Sequence, residues 1–208
     1  MTAILKVDTI QDTAGNNIIN ESSDTITIGA SGDTVNVVGT LQSNGTDVPT
    51  VAGGITEADQ WRVTANITGD AEPITSNWER ADSDGYGRLG TGMSESSGVF
   101  TFPSTGIWKI EFYCSIEHNS AGASQYNTVV IQTTTDGTNF GSASESYTNI
   151  PNSNFYNGSG SISFIFDCTN TSTHKARFNV SSQNNSTVTQ GDTGNNRTSA
   201  TFIRLGDT

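Results

Sequence analysis

The turn Asp82-Ser-Asp84-Gly85 sets two carboxylates close together, and Glu57 and Asp59 stand a short way upstream. Paired carboxylates are what glycoside hydrolysis needs, one as acid and one as base or nucleophile. These four lie in short loops or beside a linker, and the chain has little length for the long concave surface of a glycan-degrading spike. The same turn offers oxygen ligands to calcium but lacks the rest of an EF-hand loop. We read it as a solvated turn, with a structural calcium at Asp82 and Asp84 as the alternative, and expect no other cofactor. His118 and His174 sit at strand ends beside polar residues without ligand spacing, and are read as surface histidines. There is no His-Glu-x-x-His, no Gly-x-Ser-x-Gly elbow and no Walker loop. Cys114 and Cys168 read as buried thiols behaving as small hydrophobes; a disulfide would need close Cβ atoms and oxidation after release from the cytoplasm. Trp61, Trp78, Tyr86 and Tyr156 could stack on sugars, although core or subunit packing is the reading taken for both tryptophans. The chain is expected not to be an enzyme.

Composition narrows the remaining classes. The 208 residues carry 9 Lys plus Arg against 21 Asp plus Glu, a net charge of −12. Nucleic-acid binders need clustered cations to displace counterions, and anionic membranes attract basic segments, so neither partner is expected. No apolar run reaches the roughly 18 residues of a membrane span. The opening MTAILKVDTI has one lysine and too short an apolar stretch for a signal peptide, so synthesis in the producing cell's cytoplasm is expected. Charged residues are only 14 % of the chain. Its polar surface must come from Ser, Thr, Asn and Gly, which favour turns and strands over helices. No segment shows helical apolar spacing over three turns. The fold class is all-β.

The elements that must position these residues fall into two groups. Residues 1–47 are strand-sized fragments between turn signals, including the pentads Asp24–Ile28 and Asp33–Val37, each alternating apolar with polar. Such short strands bury too little to offset about 1–2 kcal/mol of backbone ordering entropy per residue, so they need partners. Residues 48–56 read as a linker, with Pro49 and Gly53-Gly54. From residue 57 to 208 the runs lengthen: QWRVTANI, PITSNWERA, GVFTFPSTGIWKIEFYCSIEH, YNTVVIQTTT, SISFIFDCTN, HKARFNVSS and SATFIRLG. The turn clusters SDGYG, DGTNFG, NGSG, NNS and QGDTGNN separate them. Close, regular spacing without helices suggests a sandwich or jelly roll. Trp108, Ile110, Phe112, Cys114 and Ile116 share one parity and face the core; Lys109, Glu111, Tyr113, Ser115 and Glu117 face water. Ile162, Phe164, Phe166 and Cys168 make a second inward row, and Ala176, Phe178 and Val180 a third. On the last strand Ile203 and Leu205 oppose Phe202, so that strand reads as buried on both sides.

Phe100-x-Phe102-Pro103-Ser-Thr-Gly106-Ile-Trp108, running into a long alternating strand, resembles the pattern of the C1q and tumour-necrosis-factor-like jelly rolls. SATFIRLG resembles their final hydrophobic strand, which lies at a trimer axis. Joined to an N-terminus of the type LKVDTIQDTAGN…DTITIGASGDTV, the chain resembles structural fibre proteins of tailed bacteriophages, of marine cyanophage type. A collagen-like Gly-x-y stalk is absent. In the resembled jelly roll the strands of Cys114 and Cys168 are neighbours.

The resemblance implies a homotrimer whose C-terminal jelly roll, residues 57–208, follows a short β-rich anchor. Core and trimer packing then falls to Phe100, Phe102, Trp108, Phe112, Phe202, Ile203 and Leu205. Attachment to other virion proteins falls to residues 1–47 through Ile4, Leu5, Val7, Ile10, Ile26, Ile28, Val35 and Val37. The implied role is a virion appendage exposed on the particle, read as a tail-fibre component contacting a host surface glycan or protein. The alternatives are a trimeric capsid decoration or head-fibre protein, and a lectin-like carbohydrate-binding module.

Overall fold

The computed structural model describes residues 9–11, 13, 17–22, 25–28, 32, 34, 42–43, 46–47, 54–118, 124–150 and 156–208. The chain divides into two compact units, Met1–Gly53 and Gly54–Thr208. In the first, β1 (Thr9–Gln11), β2 (Asn17–Ser22) and β3 (Thr25–Ile28) form a meander. β4 (Gln42–Ser43) pairs antiparallel with β5 (Thr46–Asp47), Ser43 opposite Thr46. The first pentad becomes β3, and its partner is the preceding NIINES segment, Ile19 opposite Ile28. Val35 and Val37 of the second pentad lie outside the described residues, as do Ile4, Leu5 and Val7.

The second unit runs β6 (Ala58–Val63), β7 (Ile67–Thr68), β8 (Trp78–Arg80), β9 (Ser94–Ser96), β10 (Val99–Thr101), β11 (Gly106–His118), β12 (Ser124–Thr134), β13 (Gly141–Ile150), β14 (Tyr156–Cys168), β15 (Lys175–Ser182), β16 (Thr187–Thr189) and β17 (Ser199–Gly206). All pairings are antiparallel, and no helix occurs among the described residues. Strand β11 is the spine of a seven-stranded sheet. β14 pairs its whole length; β17 takes Ile107–Tyr113 on the other side and β16 takes Ile116–His118. β6 and β8 extend the sheet beyond β17, and β7 extends it beyond β16. The second sheet runs β13-β12-β15-β10-β9. Taking β6, β10, β11, β12, β13, β14, β15 and β17 as eight successive strands, the sheets read first-eighth-third-sixth and second-seventh-fourth-fifth. That order is a jelly roll.

Alternation explains the core. Trp108, Ile110, Phe112, Cys114 and Ile116 of β11 are buried, facing Ala176, Phe178 and Val180 of β15 and Val129 and Ile131 of β12. Phe112 stacks on Phe178 across the two sheets, ring centroids 4.7 Å apart. Phe100 is the hub. Trp61, Trp78, Phe178 and Phe202 all meet its ring within 5.1–5.6 Å, three of them edge-on, in contacts worth about 0.5–1.5 kcal/mol each beyond buried area. Phe102 packs on Trp108 and Phe166. The turn between β10 and β11 needs Gly106: its φ is +144°, and a Cβ there would meet Arg204 Nε at 2.5 Å and the Gly206 carbonyl at 2.6 Å.

Three sequence expectations change. The NGSG cluster is not a turn but part of β14, and its glycines serve close packing: a Cβ on Gly160 would meet Val129 Cγ2 of the facing sheet at 2.7 Å. Gly141–Ile150, passed over as strand, is β13. It is an edge strand and mostly exposed, so it needs no apolar row. PITSNWERA yields only the short β8.

Candidate self-association face

The outer surface of the seven-stranded sheet follows from the register. Ile165, Lys109, Ile203 and Ala58 form one cross-strand row; Ser163, Glu111, Thr201 and Gln60 form the next. Ser161, Tyr113 and Ser199 follow. Small side chains thus alternate with a few large apolar ones. Ile165 is 53 % exposed, Leu205 50 % and Tyr113 41 %. Lys109 Nζ and Glu111 Oε1, 2.6 Å apart, form the face's ion pair. Beside Ile203 an open hollow of about 190 Å³ is lined by Ala58, Asp59, Gln60, Tyr86, Gly87 and Thr201. Within one chain the last strand is therefore buried on one side only: Phe202 is core, Ile203 half-buried and Leu205 exposed. Phe100, Phe102, Trp108 and Phe112 are buried in the chain's own core.

A charged frame supports one margin of this face. Asp59, 3 % exposed, accepts from Trp61 Nε1 (3.0 Å), Arg80 Nε (3.0 Å), the Tyr86 hydroxyl (2.7 Å) and the Met93 N–H (2.8 Å). Burial alone would push its carboxyl up; the donors from Arg80, Tyr86, Trp61 and Met93 outweigh that and hold it below the ordinary carboxylate value. The Arg80 guanidinium also lies over the Trp61 ring, 4.7 Å from its centroid. With the Gln60 N–H as a fifth donor at 2.9 Å, this carboxylate is a joint between strands. Glu57 caps a loop, accepting from the Thr91 and Gly92 N–H groups. Next to this frame Arg62, wholly buried, pairs with Glu79 and Asp82 and donates to Ser83 Oγ at 2.8 Å.

The sequence-designated site residues are thus dispersed. Asp82 neutralises Arg62, while Asp84 is exposed on the same turn. Among the described residues no group of three or more His, Cys, Asp or Glu is placed to hold a metal ion. Ile10 is 39 % exposed and Ile28 56 %; Ile26 lies in β3. Trp61 and Trp78 pack against the core, and Tyr86 binds Asp59. The histidines correct the surface reading, since both are buried. His118 continues the inward parity of β11, a signal already present in the sequence. His174 sits between Thr169 Oγ1 and Thr173 Oγ1, 3.1 Å from each. Cys114 and Cys168 are free thiols on neighbouring strands, but Cys114 stands opposite Gly160 and Cys168 opposite Gly106. That register separates them by eight residues along the strand, about 26 Å at roughly 3.3 Å per residue, far beyond disulfide reach.

No protein-family model and no curated protein matches the chain. Solved structures do. Murine APRIL aligns at 11 % identity and TM-score 0.48, covering 72 % of this chain and 98 % of that one. Eiger TNF from S. frugiperda aligns at 11 % identity and TM-score 0.48, covering 74 % and 96 %. The PRD1 vertex protein P5 aligns at 15 % identity and TM-score 0.41, covering 74 % and 100 %. The jelly-roll assignment itself rests on the strand order.

Proposed function

We propose that this chain is a non-enzymatic structural protein of a tailed-phage particle, a homotrimeric appendage of the tail-fibre, host-attachment kind. The observation that carries the self-association is the outer face of the seven-stranded sheet. In a chain of net charge −12, this face keeps Ile165, Ile203, Leu205 and Tyr113 at the surface around one neutralised ion pair. Small Ser, Thr and Ala neighbours let another protomer approach closely, and burying such apolar area yields about 25 cal/mol per Å². A jelly-roll face packed against a different surface of the next copy makes a heterologous contact, which forms a closed trimer when each step rotates by a third of a turn. The trimer and the phage setting follow the sequence resemblance of the β10–β11 turn, the last strand and the N-terminal segment. Residues 1–47 attach the trimer to the particle, and the second unit projects.

Mass photometry on the purified chain tests the assembly: a trimer is expected, and a stable monomer at micromolar concentration overturns it. A variant lacking residues 1–45 should still trimerise but no longer join the virion. A virion map separates the two placements, since a handful of trimers at the tail marks a fibre and many copies on the capsid mark decoration.

A further inference from the structure

The outer face of the five-stranded sheet has a different chemistry. Val129, Ile131, Phe178 and Val180 point inward, so the alternate residues form outward rows. Asn179, Val130 and Glu145 make one row; Ser181, Thr128 and Tyr147 make the next, and Tyr126 stands two residues before Thr128, at the register irregularity between Ser124 and Asn127. Tyr147 is 63 % exposed and Tyr126 48 %, the two most exposed aromatic side chains among the described residues. The Tyr147 hydroxyl donates to Glu145 Oε1 at 2.6 Å, which fixes the ring and the carboxylate together. Val130, Thr128 and Asn179 beneath them are buried. The Oδ1 of Asn179 has no hydrogen-bond partner among the described residues and is closed off from solvent, a buried acceptor that costs the fold stability.

We propose that this face is a binding site for neutral hexopyranose oligosaccharides, with Tyr126 and Tyr147 as the stacking platform and Glu145 as acceptor for sugar hydroxyls. A pyranose presents a C–H face to aromatic rings and a rim of hydroxyl donors to carboxylate oxygens, and the exposed tyrosines and Glu145 supply both. Charge selects the neutral class. The nearby cation, Arg177, has its Nε on Gln132 Oε1 at 2.7 Å and its guanidinium over Phe140 at 4.1 Å, which leaves Glu145 unopposed. A protein partner would want aliphatic neighbours, as on the opposite sheet; here the surroundings are Ser, Thr, Asn and Gln. The site uses one protomer, so it stands or falls separately from the trimer and the virion.

The full chain labelled with 3-fluorotyrosine carries five reporters, assigned by single Tyr→Phe substitutions and followed by fluorine NMR. Titration with cellotriose, maltotriose and lactose should shift Tyr126 and Tyr147 saturably and leave Tyr86 and Tyr113 in place; trigalacturonate should move neither of the first pair. Read at Tyr126, Tyr147→Phe should keep binding, whereas Tyr147→Ala and Glu145→Gln should each weaken it about tenfold at unchanged melting temperature. No shift with any of the three neutral sugars overturns the proposal, as do shifts confined to Tyr86 or Tyr113, or affinity unchanged by both Tyr147→Ala and Glu145→Gln.

Discussion

Gly160 of β14 lies against Val129 of β12 across the sandwich, so close that a Cβ at position 160 would stand 2.7 Å from Val129 Cγ2 and 3.1 Å from Cγ1. Gly160→Ala should therefore cost about 1–3 kcal/mol through overpacking. Gly141→Ala, where a Cβ meets nothing within 4 Å, should stay within about 0.5 kcal/mol of the parent. Denaturant midpoints of the two variants check this, and equal midpoints would mean that Val129 yields without cost.

Asp59→Asn should destabilise the second unit by about 1–3 kcal/mol at neutral pH, because it removes a buried charge that accepts from Trp61, Tyr86, Met93 and the half-buried Arg80. The folded carboxyl lies below its ordinary value of 3.8. Its contribution is thus complete above 3.8 and is lost as pH falls through the lower folded value. Unfolding curves of parent and variant should converge in acid; a gap constant down to strong acid would place the effect in packing alone.

Tyr86 gives the opposite edge of the pH range. Burial first, and then its hydrogen bond to Asp59, pushes the phenol from 10.0 up to about 12. A raised folded value means stability fully present below 10 and lost as pH rises toward 12. Tyr86→Phe should cost about 1 kcal/mol at neutral pH and should reduce the alkaline loss, as followed by tyrosinate absorbance alongside thermal melts.

Both thiols should resist a disulfide-exchange reagent in the native state and react together on unfolding. Burial pushes Cys114 up to about 12 and raises Cys168 as well, leaving little thiolate to attack. Reductant should not change the melting temperature. A native disulfide found by peptide mapping would contradict the register of β11 and β14.

Ile203→Lys and Ile165→Glu should lower the oligomer's mass to that of a single chain with little change in the secondary structure. Both positions lie on the outer face, so neither substitution puts a charge in the sandwich core. Analytical ultracentrifugation checks this, and a trimer that survives both substitutions would move the subunit contact to another surface.

Much of the sandwich was legible because its central strands obey a period of two. Trp108 to Ile116, Ile162 to Cys168 and Ala176 to Val180 announce their inward faces residue by residue, as the burial of those rows bears out. The misses have local causes. β13 carries Ser, Thr, Glu and Asn because only one of its edges is paired and its faces are largely wet, so no apolar rhythm marks it. Gly158 and Gly160 look like turn residues until the opposite sheet is in place, since their purpose is a distance to Val129 and Ile150 that no local pattern encodes. His118 was misread by chemistry rather than by period. The charged frame around Asp59 joins residues 59, 61, 80, 86 and 93, and nothing in their spacing reveals that they meet. Tyr126 and Tyr147 became conspicuous only when their exposure and the pairing of β12 with β13 were in place.

The polar character of β13 also bears on crowding. A terminal strand leaves a ladder of amide and carbonyl groups able to recruit any extended chain that drifts past, and hydrophobic side chains would reward the encounter. Here that ladder is dressed with Ser142, Ser144, Glu145 and Ser146, which hold water and, through Glu145, repel a second copy of the same edge. Many molecules can then stand side by side at high local density without zipping into fibrils, and contact is left to the faces chemically suited for it.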